Sequence, residues 1–127
     1  MKSIETIKEV EEMKDKLGKR LDSKIKDLVI GLRMLGIETL QSCEGHLDWG
    51  NPYPWVMILS TNKNKVFQVV QWHNTKGRNR IFWVILPKGN HIIIMPAIQD
   101  EKFSLEELQE SAVHFGKKLQ ENFPGFS

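Results

Sequence analysis

The chain has 127 residues, 40% of them hydrophobic and 27% charged, with a formal net charge of +2 and a single cysteine. That size suits one domain that buries roughly two-thirds of its unfolded surface, so neither a disulfide nor a metal is required to hold it. One cysteine excludes an internal disulfide, the longest apolar runs (81–86 and 92–95) are far too short to span a bilayer, and residues 1–5 lack a signal-peptide pattern, so a reducing cytoplasm is the expected compartment.

In chain order, Ser3 is placed to cap a first helix whose apolar residues Ile4, Ile7, Val10, Met13 and Leu17 recur at spacings of three and four. Asp22 or Ser23 then caps a second helix, with Leu21, Ile25, Leu28, Leu32 and Leu35 on one stripe and Gly36 at its C-cap. The same stripe fits a short coiled-coil seam, which would make a homodimer. Packing on the protein's own sheet is the simpler reading, because the pattern lasts only about two heptads.

Residues 37–42 read as a strand, with Ile37, Thr39 and Gln41 on one face and Glu38, Leu40 and Ser42 on the other. Residues 43–53 contain Gly45, Gly50, Asn51 and Pro52 and read as a loop. Residues 54–60 are a nearly apolar strand, expected to be buried on both faces. Over 61–74, Thr61 as N-cap and the face Val66, Val69, Val70 and His73 predict a helix; a further strand is the alternative, because 66–70 has high β-propensity.

Residues 80–86 and 91–95 are strands joined by Pro87-Lys88-Gly89-Asn90, a hairpin. Ser104-Leu105-Glu106-Glu107 is a capping box that opens a last helix with Leu105, Leu108, Ala112, Phe115 and Leu119 buried. The order is α-α-β-β-α-β-β-α. It predicts an α+β two-layer single domain over 1–127: a mostly antiparallel sheet of about four strands with helices on one face.

Charge is uneven along the chain. From Trp49 to Gln99 there is no Asp or Glu, while Lys63, Lys65, Lys76, Arg78, Arg80 and Lys88 contribute +6. An acid-free middle favours an anionic partner such as a phosphorylated small molecule, a nucleotide or RNA; dispersed solubilising charge is the plainer reading.

Chemistry concentrates at Ser42-Cys43-Glu44-Gly45-His46. Cys43 is a nucleophile if a cation or helix N-terminus activates it; His46, across a glycine, could supply this, and Glu44 could act as acid or base. A lone cysteine is also an ordinary small core residue. Cys-x-x-His has the spacing of half a zinc site, but it requires Asp48, His73 or His91 as partners, and no second ligand pair exists in the sequence. As an anion site, the loop would use Ser42 and Gly45, with Arg78 and Arg80 adding charge. Trp49 and Tyr53 offer stacking faces, whereas Trp55 and Trp83 read as core. His114 reads as a structural histidine on the apolar side of the last helix.

The run 35–46, L-G-I-E-T-L-Q-S-C-E-G-H, resembles a pattern of small uncharacterised bacterial and phage proteins. In these a helix ends at glycine, a short strand follows and S-C-x-G-H closes it. Pro54-Trp55-Val56 also fits, and the resemblance implies no particular activity. More distantly, residues 39–45 are similar to the T-x-S-S-C-S-G-R segment of the wybutosine-synthesis tRNA methyltransferase family. Ser42, Cys43 and Gly45 match it; Glu44 stands for its serine and His46 for its arginine. That resemblance implies S-adenosylmethionine as cofactor and tRNA as substrate.

Overall fold

A computed structural model describes residues 23–47, 51–76, 80–97 and 103–122. Its elements are α1 (Ser23–Met34), β1 (Thr39–Cys43), β2 (Trp55–Ile58), α2 (Lys63–Thr75), β3 (Trp83–Lys88), β4 (His91–Pro96) and α3 (Leu105–Asn122). A single 3-10 turn, Ser60–Asn62, precedes α2. The fold is α+β, with all four strands antiparallel in the order β1-β2-β4-β3. The helix expected over 3–17 lies outside the described residues.

The helices end where their chemistry dictates. Gly36, at φ +79°, and Ile37 close α1: Gly36 N–H donates to Arg33 O (3.0 Å) and Ile37 N–H to Leu32 O (3.1 Å). This is a Schellman closure, and glycine takes the left-handed position. The capping box of α3 forms as expected, with Ser104 N–H on Glu107 Oε1 and Glu107 N–H on Ser104 Oγ, both at 3.1 Å. Thr61 does not cap α2. The helix starts later, and Asn62 Oδ1 accepts Glu38 N–H at 2.8 Å, tying α2 to the entry of β1.

Strand register sorts the sheet into two faces. Val56 and Ile58 stand opposite Ile94 and Ile92, and these four join one buried cluster with Trp83 and the apolar stripes of all three helices. The helices therefore cover this face. The other face carries Gln41 and Cys43 on β1, Trp55 and Met57 on β2, Ile93 and Met95 on β4, and Val84 and Leu86 on β3. Residues 54–60 are thus not symmetrically buried: Val56 and Ile58 are inaccessible, Trp55 and Met57 half-buried.

The expected alternation along 37–42 fails at a β-bulge. Thr39 pairs with Ile58 but Gln41 with Met57, so Leu40 is an extra residue and is 40% exposed. The bulge shifts the phase, leaving Thr39 and Ser42 on the helix side and Gln41 and Cys43 on the other. Cys43 itself is the last residue of the strand, opposite Trp55, instead of the first of the loop. The hairpin turn is likewise tighter than expected: Pro87 and Lys88 belong to β3, and only Gly89 and Asn90 turn.

Helices α1 and α3 pack closely through glycine. A Cβ on Gly116 would fall 2.3 Å from Asp27 C and Leu28 N, so the backbones meet there. The stripe proposed as a dimer seam is consumed by this packing: Ile25, Leu28, Leu32 and Leu35 are at most 6% exposed within the single chain. Leu21 lies outside the described residues. The described residues of this stripe therefore serve the chain's own core.

One edge strand of the sheet is β3, and it is blunted. Phe82 O accepts Ala97 N–H (2.8 Å), so by antiparallel alternation the backbones of Trp83, Ile85 and Pro87 face outward. Asn74 at the end of α2 satisfies Trp83 at both atoms: Oδ1 accepts Trp83 N–H and Nδ2 donates to Trp83 O, each at 2.8 Å. Pro87 has no N–H to offer. Among these three positions only Ile85 presents an outward donor, a poor template for strand addition.

Candidate functional site

The S-C-E-G-H segment forms a fixed corner where β1 leaves the sheet. Gly45 is buried at φ +93°, and a Cβ there would lie 2.7 Å from Tyr53 C, 2.8 Å from Leu105 Cδ1 and 2.9 Å from Tyr53 O. No other residue fits that space or conformation without displacement. His46 N–H donates to Asn51 O (2.9 Å), drawing the two arms of the loop together. Gly45 N–H points at Cys43 Sγ at 3.4 Å.

Glu44 faces the helices, one residue on from Cys43 in the alternation. Its Oε1 accepts Lys24 N–H at 3.0 Å and its backbone carbonyl accepts Gln109 Nε2–H at 3.2 Å. A carboxylate from a distant segment therefore caps the positive end of α1, where no acidic residue occupies the first turn. The geometry gives Glu44 a structural task that the sequence assigned to Ser23 or Asp22.

Of the residues nominated from sequence, the structure brings together Cys43, Gly45, His46 and Tyr53. Cys43 and His46 are half-buried, as is Tyr53, which packs on the core. Ser42 lies opposite Val56 and so is directed to the helix side. Trp49, Arg78 and Asp48 lie outside the described residues. Arg80 is placed elsewhere: its guanidinium sits 5.5 Å from the centre of the Phe103 ring, at a cavity to which no residue of 43–46 contributes.

Of the two tryptophans read as core, one is and one is not. Trp83 is core, 1% exposed, with Nε1–H on Ser111 Oγ at 3.0 Å. Trp55 is not; it is half-buried on the face opposite the helices, beside Cys43. Sequence reasoning missed Trp55 and Gln41 as partners of Cys43. Period-two counting from Val56 would have found Trp55, and counting back from Cys43 would have found Gln41 had Cys43 been read as strand and not loop.

His73 is 3% exposed, stacked on Phe115 with centroids 4.2 Å apart, and bonded through Nε2 to Ile81 O at 3.2 Å. Because a carbonyl only accepts, Nε2 carries the proton. Desolvation lowers its pKa below the usual histidine value; the bond to Ile81 opposes that shift, and the nearby His114 adds to it. This histidine is a core residue, as expected from the face it shares with Val66, Val69 and Val70. His114 is instead exposed on the outer face of α3. Among the described residues no cluster of three or more His, Cys, Asp or Glu has the arrangement of a metal site. The partners nominated to complete a Cys43–His46 pair are dispersed: His73 in the core and His91 at the far end of the β3–β4 hairpin.

The fold and corner define an α+β protein with one sheet face turned away from the described helices. No protein-family model matches the chain, and neither does any curated protein or solved structure. Among the described residues no helix is long and apolar enough to cross a membrane.

Proposed function

We propose that this protein binds a nucleotide or a short stretch of RNA on the sheet face opposite the described helices, at the end closed by Cys43–His46. One observation carries the reading. That face presents Trp55 and Cys43 side by side, with Gln41 and Met57 behind them and not one carboxylate among its strand positions. An indole on a four-stranded antiparallel sheet is a platform on which a base can stack, worth roughly 1–3 kcal/mol per base. Gln41 is exposed and offers both a donor and an acceptor to a base edge. Lys88 and His91 stand on the same face at its opposite, hairpin end, in reach only of the phosphates of a ligand that extends along the sheet.

The acid-free segment 49–99 contributes three of the four strands, so an anion approaching this face meets no fixed negative charge from them. The Gly45 corner, packed against Tyr53 and closed by His46 N–H on Asn51 O, sets His46 and Tyr53 near the same end of the sheet. The experiment is a tryptophan-fluorescence titration with tRNA, a short single-stranded RNA and ATP at low and moderate salt. Binding that weakens with added salt and falls at least tenfold in Trp55→Ala supports the reading. Failure of all three to bind at low salt, or binding indifferent to Trp55, refutes it.

A further inference from the structure

On the outward side of α3 lies a separate concavity of about 270 Å³, with charge of both signs on its walls. Arg80, Phe103, Glu107, Glu110, Ser111 and His114 line it. None of them belongs to the sheet face described above. Arg80 is held over the Phe103 ring and Glu110 projects from the exposed side of α3. Among the described residues neither has an ion-pair partner within 4.0 Å, although both border the same cavity.

The other two polar walls are already oriented. Glu107 holds Ser104 N–H through Oε1, which fixes its carboxylate and leaves Oε2 beyond that bond. Ser111 Oγ accepts Trp83 Nε1–H at 3.0 Å, so its own proton is left to donate. A hydroxyl that accepts one bond becomes a better donor of the next. A buried indole thus sets a serine on the wall of a charged cleft.

From this arrangement we infer that the cleft binds a zwitterionic small molecule of the α-amino-acid class. Its carboxylate pairs with the Arg80 guanidinium and accepts the Ser111 hydroxyl proton. Its ammonium group pairs with Glu110, with Glu107 adding negative potential, and an apolar side chain packs on Phe103. A phosphate dianion is disfavoured by two carboxylates on the walls, and a simple amine by the guanidinium; a ligand with both charges satisfies both. The volume lies just below the usual range of about 300–1,000 Å³ for small-molecule pockets, which suits one amino acid and not a nucleotide.

The test is a two-dimensional amide NMR titration of the full chain with L-leucine, with isovalerate as its carboxylate-only analogue, with isoamylamine as its amine-only analogue, and with inorganic phosphate. The expected result is saturable shifts at Arg80, Phe103, Ser111 and His114 with leucine, at least tenfold weaker binding of either analogue or of phosphate, and at least tenfold weakening in Arg80→Gln and in Glu110→Gln. Both substituted residues are exposed, and unchanged spectra away from the cleft verify folding. No saturable shift with leucine, equal binding of one analogue or of phosphate, or indifference to both substitutions overturns the inference.

Discussion

Asn74→Ala isolates a single side chain that imitates a neighbouring strand. In the native chain its amide meets both backbone atoms of Trp83 on the outer edge of the sheet, at 2.8 Å each. Truncation leaves one N–H and one C=O without their partner. A fully buried orphan group costs about 1–3 kcal/mol. Asn74 is half-buried, so water reaches part of the vacated site, and the expected loss is about 2 kcal/mol for the pair, toward the low end of that range. For a chain of this length that corresponds to a fall in Tm of roughly 8 °C. Asn74→Asp is the informative companion. It keeps the acceptor for Trp83 N–H but replaces the donor with a carboxylate facing a carbonyl, so at neutral pH it is destabilised at least as much as Asn74→Ala. Urea denaturation monitored by tryptophan fluorescence measures both. If Asn74→Ala lies within 0.5 kcal/mol of the parent, water replaces the clamp fully and the reasoning fails; this threshold is roughly the net worth of one weak hydrogen bond.

Further outcomes follow from the same geometry. Gly116→Ala forces the backbones of α1 and α3 apart and should cost about 3 kcal/mol or more, read from the urea midpoint. Gly45→Ala places a methyl against Tyr53 and Leu105 in a left-handed conformation; the expected loss is at least about 2 kcal/mol, together with the RNA binding proposed for that end of the sheet. Glu44→Ala removes the acceptor at the start of α1 and should cost about 1 kcal/mol, seen as faster hydrogen exchange of residues 24–27. His73 has a pKa lower in the folded chain than in the unfolded one, so the unfolded state takes the proton first as pH falls. Its contribution is complete above about pH 6.5 and is lost as pH drops from there through the folded value. The urea midpoint should therefore fall between pH 7.5 and pH 5, and His73→Gln should show a smaller fall; an equal fall in both proteins would contradict the assignment.

The elements were legible wherever local chemistry sets them. The α3 capping box, the Gly36 closure and the Val66–Val69–Val70–His73 stripe each depend on residues within one or two turns, and each formed as read. What escaped sequence reading depends on partners far away in the chain. Glu44 looks like an acid or base beside Cys43 until the start of α1, twenty residues upstream, is seen to lie against it. Leu40 sits in a run with plausible alternation, and only pairing with β2 reveals that it is the extra residue of a bulge. That one-residue slip decides which side of the sheet Cys43 occupies, and with it which aromatic residue stands next to the site. Arg80 fits the +6 tally of the middle segment by composition, yet its position over Phe103 gives it a different cleft. His114 follows the apolar stripe of α3 in sequence but points outward, because Phe115 fills the core beside His73.

The central claim is that ligand binds the face shared by Trp55 and Cys43. It is tested most directly by the alkylation rate of Cys43, the chain's sole thiol, in the presence and absence of saturating tRNA at low salt. Protection of at least tenfold, lost when salt releases the RNA, is the expected result. An unchanged rate with RNA demonstrably bound would place the ligand elsewhere and contradict the account.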